Sequence, residues 1–245
     1  MTQPNLARHP PLSSSVPDAV FEKLLADIVG GAYLRGARLP PERDIADGLG
    51  ASRASVRNAL RRLEDWHLIA IRRGSGAVVR PRTEWTFEAL PACLRCANPV
   101  DGTSASDLIR GALALRRSIV IGMVQLAAGR IVPGGLTAAR AAVAEAWRRR
   151  GDVEKFAALD LEVMQRVLEA ARMFPAIWLL NKIAPIYVES VRAIGARAAA
   201  PSSYVESHRR VFDVLEKGDG RRATSLMQQY LEEADGKRLA ALRRT

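Results

Sequence analysis

Leu39 to Leu63 reads LPPERDIADGLGASRASVRNALRRL, and this stretch decides the fold of the first third of the chain. It holds two short amphipathic segments joined by a tight turn at Leu49-Gly50, with Asp44-Ile45-Ala46 in the first. In the second, Val56, Leu60 and Leu63 recur at i, i+4 and i+7 and form an apolar stripe. Ser52, just before that run, suits an N-cap, because its hydroxyl can satisfy an orphan N–H of the first turn. At about 100° per residue, Arg53, Arg57 and Arg61 fall on a face roughly 90° from the apolar one. One face packs while its neighbour presents guanidinium groups, with Ser52 and Ser55 at the helix start. A recognition helix has this make-up: its N-terminal residues enter the major groove, where Arg pairs bidentately with guanine.

The flanking residues extend the pattern. Beyond Trp66 come Leu68-Ile69-Ala70-Ile71, then Arg72-Arg73-Gly74-Ser75-Gly76, then Ala77-Val78-Val79. Two short β-prone runs around a Gly-containing turn predict a hairpin with two arginines at its tip. Upstream, Asp18 to Val29 carries Ala19, Val20, Leu24 and Ile28 on one helical stripe and ends at Gly30-Gly31, a helix stop. A helix, a helix-turn-helix and a basic wing make a winged helix. An ordinary αα-hairpin with solvated arginines accounts for any one Arg but not for the ordered combination.

The string from Leu39 through Val79, with its Pro-Glu-Arg run, Ser-Arg-Ala-Ser-Val-Arg helix start and Gly-Ser-Gly turn, resembles the DNA-binding signature of the GntR family of bacterial transcription regulators. The resemblance runs from about Phe21 to Val79. It implies that Arg43, Ser52, Arg53, Ser55, Arg57, Arg73 and Gly74 occupy DNA-contacting positions. Ala54 stands where relatives often carry Thr.

A length of 245 residues suits two compact domains better than one. Formal charge is +11; residues 1–80 hold 12 Lys/Arg against 8 Asp/Glu, which leaves 25 against 18, or +7, for the rest. The excess therefore lies mostly outside the winged half, where it suits an anionic ligand or a solvated surface. Cys93 and Cys96 form one C-x-x-C without further zinc ligands nearby, so two reduced thiols are expected. No apolar run approaches the roughly 20 residues of a membrane span, and residues 1–17 lack a signal-peptide core; a soluble, cytoplasmic protein is expected.

The domain organisation follows from punctuation. Residues 1–16, with Pro4, Pro10, Pro11 and three serines, predict a disordered arm; 17–80 form the winged domain and 81–104 a linker with a short helix near Phe87 to Cys96. Residues 105–245 are helical throughout, in segments of roughly 106–130, 135–150, 152–172, 174–197, 202–217 and 219–243. Pro185 inside the fourth predicts a kink or short break. The fold class is mainly α: a winged helix-turn-helix domain followed by an all-α bundle that binds an effector and dimerises.

Within the bundle, polar residues sit on apolar stripes. Arg116 accompanies Ala112, Ile119, Val120 and Met123; Asp160 accompanies Phe156, Ala157, Val163, Met164 and Val167. His208 lies among Tyr204, Val205, Val211, Phe212 and Leu215, and Tyr230 follows Leu226 and Met227. With Tyr187 of the fourth segment, these residues predict either a polar effector pocket or a satisfied internal network such as Arg116–Asp160, since unpaired buried charges are costly.

An all-helical domain after this winged domain resembles the FadR subfamily of GntR regulators, and that resemblance places Arg116 at an effector-facing position. Many members bind a metal through Asp-x-x-x-His and two later histidines. Here Asp160 and His208 match two ligands, while Met164 and Tyr230 replace imidazoles with a thioether and a phenol; no metal and no resident cofactor are expected. The metal-free, acyl-CoA-responsive branch is the nearest in pattern, by FAALDLEVM, QQYLEE and Trp85-x-Phe87.

These readings converge on a homodimeric one-component transcription regulator that binds a short palindromic double-stranded operator. A small effector, a fatty acyl-CoA or alternatively an organic acid, controls it. An enzyme is the first rival, but the three histidines (His9, His67, His208) form no catalytic order and no nucleotide loop is present. A DNA-binding protein without effector is the second; it would have no need of Arg116, Asp160 and His208 on interior faces.

Overall fold

The computed structural model describes residues 16–72, 76–96, 102–195 and 200–242. They divide into two compact units, Met1–Ala92 and Cys93–Thr245. In the first, α1 (Val16–Val29) packs against α3. Its buried residues are Val20, Phe21, Leu24, Leu25, Ile28 and Val29. Ala19, assigned to the stripe from sequence, faces solvent instead, because the buried arc is centred on the Val20/Leu24/Ile28 row and its Phe21/Leu25/Val29 neighbour. The arm expected over 1–16 lies outside the described residues except for Val16, which already belongs to α1.

The next helix, α2 (Glu42–Leu49), ends at Gly50, whose left-handed φ of 60° lets its N–H reach the Ala46 and Asp47 carbonyls. The recognition helix α3 (Arg53–Asp65) starts at Ser52, whose Oγ accepts from the Ser55 N–H at 3.1 Å. It buries Val56, Ala59, Leu60 and Leu63. Burying each of the three larger side chains is worth about 1.5–3 kcal/mol, so this stripe, rather than any surface ion pair, fixes how α3 is rotated. Its C-terminus closes with Leu68 N–H on Leu63 O and His67 N–H on Glu64 O, while His67 takes a φ of 58°. His67 thus fills a helix-terminating position that usually belongs to glycine.

The wing pairs β1 (Ile69–Arg72) antiparallel with β2 (Gly76–Val79), in a register from Ile69 opposite Val79 to Arg72 opposite Gly76. Residues 36–39 line the other edge of β2: Gly36 N–H reaches Val79 O, Val79 N–H reaches Ala37 O, and Leu39 N–H reaches Ala77 O. That third edge rests on backbone hydrogen bonds, which leave no periodic signal in the side chains. Downstream, short 3-10 turns at Arg82–Glu84 and Phe87–Ala89 lead into α4 (Leu90–Arg95). Thr86 donates through its N–H at 3.1 Å and its Oγ1 at 3.3 Å to the Trp66 carbonyl. The first part of the expected linker is therefore fastened to the end of α3. Neither Cys93 nor Cys96 is in a disulfide.

The second unit is a helical bundle. Ser104 and Asp107 form a reciprocal capping box at the start of α5 (Ala105–Ala127). It is followed by α6 (Thr137–Arg148), α7 (Val153–Ala170), α8 (Phe174–Ile194), α9 (Tyr204–Leu215) and α10 (Gly220–Leu242). Helix α7 packs between α6 and α8, and α10 packs on both α5 and α9. Helix α8 runs through Pro185 without the short break that was one of the two expected outcomes; the proline removes the rung to Asn181. Gly220 marks a close approach: a Cβ there would lie 2.3 Å from the Ala128 Cβ. One core joins Met123, Leu136, Phe156, Leu168, Tyr204, Phe212 and Leu231. Among the described residues, no helix is long and apolar enough to cross a membrane.

Candidate nucleic-acid interface and buried polar site

The exposed side of α3 is built by subtraction. Once Val56, Leu60 and Leu63 turn inward, Arg53, Arg57 and Arg61 must face solvent, and all three do. Arg62, one position on, is taken away from that face by Asp18 at 2.7 Å, with its guanidinium 3.8 Å from the Phe21 ring centroid. Among the described residues, Arg53 and Arg61 make no side-chain ion pair. Arg57 does: its Nη2 lies 3.0 Å from Glu42 Oε2 on α2 and its Nε 3.5 Å from Oε1. Arg43 pairs with its neighbour Asp44 at 3.4 Å. Ser52 and Ser55 face each other through their hydroxyls at 2.9 Å. No acidic residue stands in the first turn of α3, whereas α2 carries Glu42 and Asp44 there. The positive end of the α3 dipole is left open to an external anion. Arg72 is exposed at the end of β1, while Arg73 and Gly74 lie outside the described residues.

The second cluster sits inside the bundle, and it gathers every polar residue singled out there. Arg116 on α5 places Nη2 3.3 Å from Asp160 Oδ2 on α7, and its guanidinium lies 5.7 Å from the Tyr187 ring centroid on α8. Asp160 Oδ1 accepts from the Tyr204 hydroxyl of α9 at 3.0 Å. The His208 Nδ1 lies 2.7 Å from the Tyr204 carbonyl, and its ring packs at 5.2 Å against Tyr230 of α10. Five helices thus meet at one point. Val205, grouped with His208 from sequence, is exposed; it lies at the edge of the buried arc of α9, two turns before Phe212.

Asp235 was missed. It is 2% exposed, with Arg116 Nη1 at 3.9 Å, Arg117 Nη1 at 3.6 Å and Arg238 Nη1 at 3.4 Å. Its position one residue after Ala234, on a helix ending in mixed charge, reads as a solvated carboxylate with Arg238 at i+3; only the tertiary approach of α5 reveals Arg116 and Arg117 beside it. Three buried side-chain atoms make no hydrogen bond among the described residues: Ser203 Oγ and, in this cluster, Arg116 Nη1 and Asp235 Oδ2.

Electrostatics follow from burial. Desolvation would push the Arg116 guanidinium down, but Tyr187, Asp160, Tyr230 and Asp235 together outweigh it and hold Arg116 charged. Burial pushes the Asp235 carboxyl above its ordinary range, against the pull of Arg116, Arg238 and Arg117. His208 is pushed down by burial, more than Asp160 pulls it up. Burial raises the phenols of Tyr204 and Tyr230.

A divalent metal does not fit these groups. Both Asp160 oxygens are engaged, one by a cation that a metal would have to displace. His208 has only Nε2 left, and Met164 and Tyr230 supply poor donors. Among the described residues no three His, Cys, Asp or Glu side chains converge on one point.

Residues 17–79 match the family model described as bacterial regulatory proteins of the gntR family, and residues 112–233 match the FCD domain. The chain belongs to the GntR family. It is a DNA-binding transcription regulator whose winged helix is the GntR domain and whose bundle carries the FCD domain. It is 27% identical over 242 residues to the HTH-type transcriptional regulator Mce2R of Mycobacterium tuberculosis, covering 97% of each chain. It is likewise 27% identical over 213 residues to the galactonate operon transcriptional repressor of Escherichia coli K12, covering 83% of this chain and 88% of that one. Among solved structures, Lar, described as controlling the Listeria monocytogenes agr system, superposes with a TM-score of 0.60 at 16% identity, over 94% of this chain and 98% of that one. That likeness speaks for the fold alone.

Proposed function

We propose that this GntR regulator is a cytoplasmic homodimer that reads a palindromic operator and is switched by a small carboxylate bound at Arg116. Arg53 and Arg57 would meet base edges, with Arg43, Ser52, Ser55 and the Arg73-Gly74 wing tip on the backbone. The dimer's two-fold axis would match that of the operator. The observation that carries the effector half is the buried Arg116 Nη1, a charged donor without a hydrogen-bond acceptor among the described residues, with Asp235 Oδ1 3.9 Å away. A carboxylate oxygen supplies that acceptor. Tyr187, His208 and Tyr230 surround it with hydroxyl and imidazole groups that suit a hydroxy acid. Two relatives are named for operons of such acids or their enzymes, the galactonate repressor and an L-lactate dehydrogenase operon regulatory protein of E. coli.

A fatty acyl-CoA, the ligand class expected from sequence, is the second reading; the apolar Ile119, Val120 and Met123 beside Arg116 favour it. In either case the ligand competes with Asp160 for Arg116, shifting α5 against α7, and only a difference in affinity between two dimer states alters operator occupancy. The test is native mass spectrometry of freshly purified protein, followed by thermal shift with hydroxy acids and with acyl-CoAs on wild type and Arg116→Lys, which keeps the charge and loses the fork. Saturable stabilisation by a hydroxy acid, weakened in Arg116→Lys and coupled to DNA affinity, is expected. Binding of acyl-CoA alone would move the reading to the second ligand class, and ligand binding indifferent to Arg116 would remove the mechanism.

A further inference from the structure

We infer that Glu42 is a positioning residue for DNA reading: it holds Arg57 in a base-facing pose and keeps it from serving as a generic phosphate contact. The inference rests on α3 being the DNA-reading helix. Glu42 opens α2 and Arg57 lies in the second turn of α3, so their pair at 3.0 Å and 3.5 Å spans the helix-turn-helix. Arg53 and Arg61, on the same face, have no such tether among the described residues.

The pair has no evident role in stability. Its side chains are 57% and 39% exposed, and exposed pairs contribute little to folding. The rotation of α3 is already fixed by its buried apolar stripe. What the pair does fix is a rotamer. Glu42 takes the Nε and Nη2 side of the guanidinium, and the end-on edge of Nη1 and Nη2 is left for the paired acceptors of a guanine. Without the carboxylate, the long Arg57 side chain would sample many rotamers and reach phosphates along either strand. Glu42 also sets a negative charge beside the reading face, which weakens binding to any backbone that Arg57 does not engage through a base. A charge that opposes non-specific binding raises the ratio of specific to non-specific affinity even where it lowers both.

The experiment uses the full chain and duplexes that wild type selects from a random-sequence pool, compared with random duplexes of equal length at several salt concentrations. Wild type, Glu42→Gln, Arg57→Ala and the double variant are measured; Gln keeps the shape of Glu42 and removes its charge. In Glu42→Gln the selected-to-random affinity ratio is expected to fall about fivefold or more, with tighter binding to random DNA and a log–log salt slope steeper by about one. In the Arg57→Ala background the same change should alter the ratio by less than about twofold, because the partner through which Glu42 acts is gone. An unchanged ratio in Glu42→Gln overturns the inference, and so does a loss that persists undiminished without Arg57. If wild type selects no sequence at all, the reading of α3 itself falls, and that failure is distinct from the other two.

Discussion

Arg53 on α3 and Arg116 on α5 are the same residue in opposite settings. Arg53 stands in solvent at the open N-terminus of its helix, with no side-chain partner among the described residues, whereas the Arg116 side chain is 14% exposed and shares its charge with Asp160 and Asp235. A hydrated guanidinium asks nothing of the fold, so the interface can be tuned residue by residue for DNA. A desolvated one must be neutralised from within before any ligand arrives, so the bundle cannot lose its binding group without losing part of its stability. The two domains therefore differ in whether function and folding can be separated.

The sharpest break in that comparison is removal of each arginine. Arg116→Ala leaves Asp160 and Asp235 buried without their shared cation, and is expected to destabilise the bundle by about 3–5 kcal/mol. Arg53→Ala should leave stability within about 0.5 kcal/mol. Chemical denaturation of the full chain measures both, and an Arg116→Ala loss under 1 kcal/mol would mean that the internal network is not what neutralises the carboxylates.

The same variants reverse their order when DNA is the readout. Arg53→Ala or Arg57→Ala should cost about 1–3 kcal/mol of binding to a selected duplex and flatten base preference at one position. Full retention of affinity and preference in Arg53→Ala, at matched salt, would take α3 out of the major groove.

This contrast also explains what the sequence could show. The winged domain was legible because its signals are local: a cap at Ser52, a turn at Gly50, an apolar stripe and the basic face it leaves over. The bundle's helices were legible for the same reason, to within a few residues at each end. Arg116, Asp160, His208 and Tyr230 were visible as polar residues on apolar stripes, but which of them meet was not, because that depends on the packing of five helices. Asp235 continues the Met227–Leu231 stripe of its own helix, but the α5 arginines that meet it depend on packing and could not be read from that stripe. The Glu42–Arg57 pair and the 36–39 edge of the wing were hidden similarly: each joins segments whose separation in sequence carries no periodicity.

A third, smaller effect sharpens the comparison through pH. His208 is held neutral by burial, so its folded pKa lies below the unfolded value near 6.5. The unfolded chain then binds the extra proton first, and stability present above about pH 6.5 is lost as pH falls toward the folded pKa, with a slope of at most about 1.4 kcal/mol per pH unit. Asp235, raised by burial, acts in the opposite sense: its contribution is complete below the unfolded carboxyl pKa and is lost as pH rises through the folded one. Comparing wild type with His208→Gln between pH 8 and 5 isolates the histidine slope. If the two profiles are parallel, His208 is not desolvated and the cluster is more open than its packing implies.

The smallest effect tests separability at a single atom. Ser52 Oγ caps α3 through the Ser55 N–H, and the first turn of α3 holds no acidic residue, although one there would favour the helix dipole. On α2 and α5 that favourable arrangement is used, with Glu42 and Asp44 on the one and Asp107 on the other. Its absence from α3 makes sense if this helix end must accept phosphate rather than supply its own anion. Ser52→Ala should then cost about 1 kcal/mol of stability through loss of the cap, and weaken DNA binding modestly. Ser52→Asp should keep the cap and hold stability at or above wild type, yet lower DNA affinity more than Ala does, because a carboxylate replaces a neutral hydroxyl where phosphate oxygens approach. Thermal melting and duplex titration at two salt concentrations give both axes. A Ser52→Asp variant that melts like wild type and also binds DNA like wild type would move the backbone contact away from the start of α3.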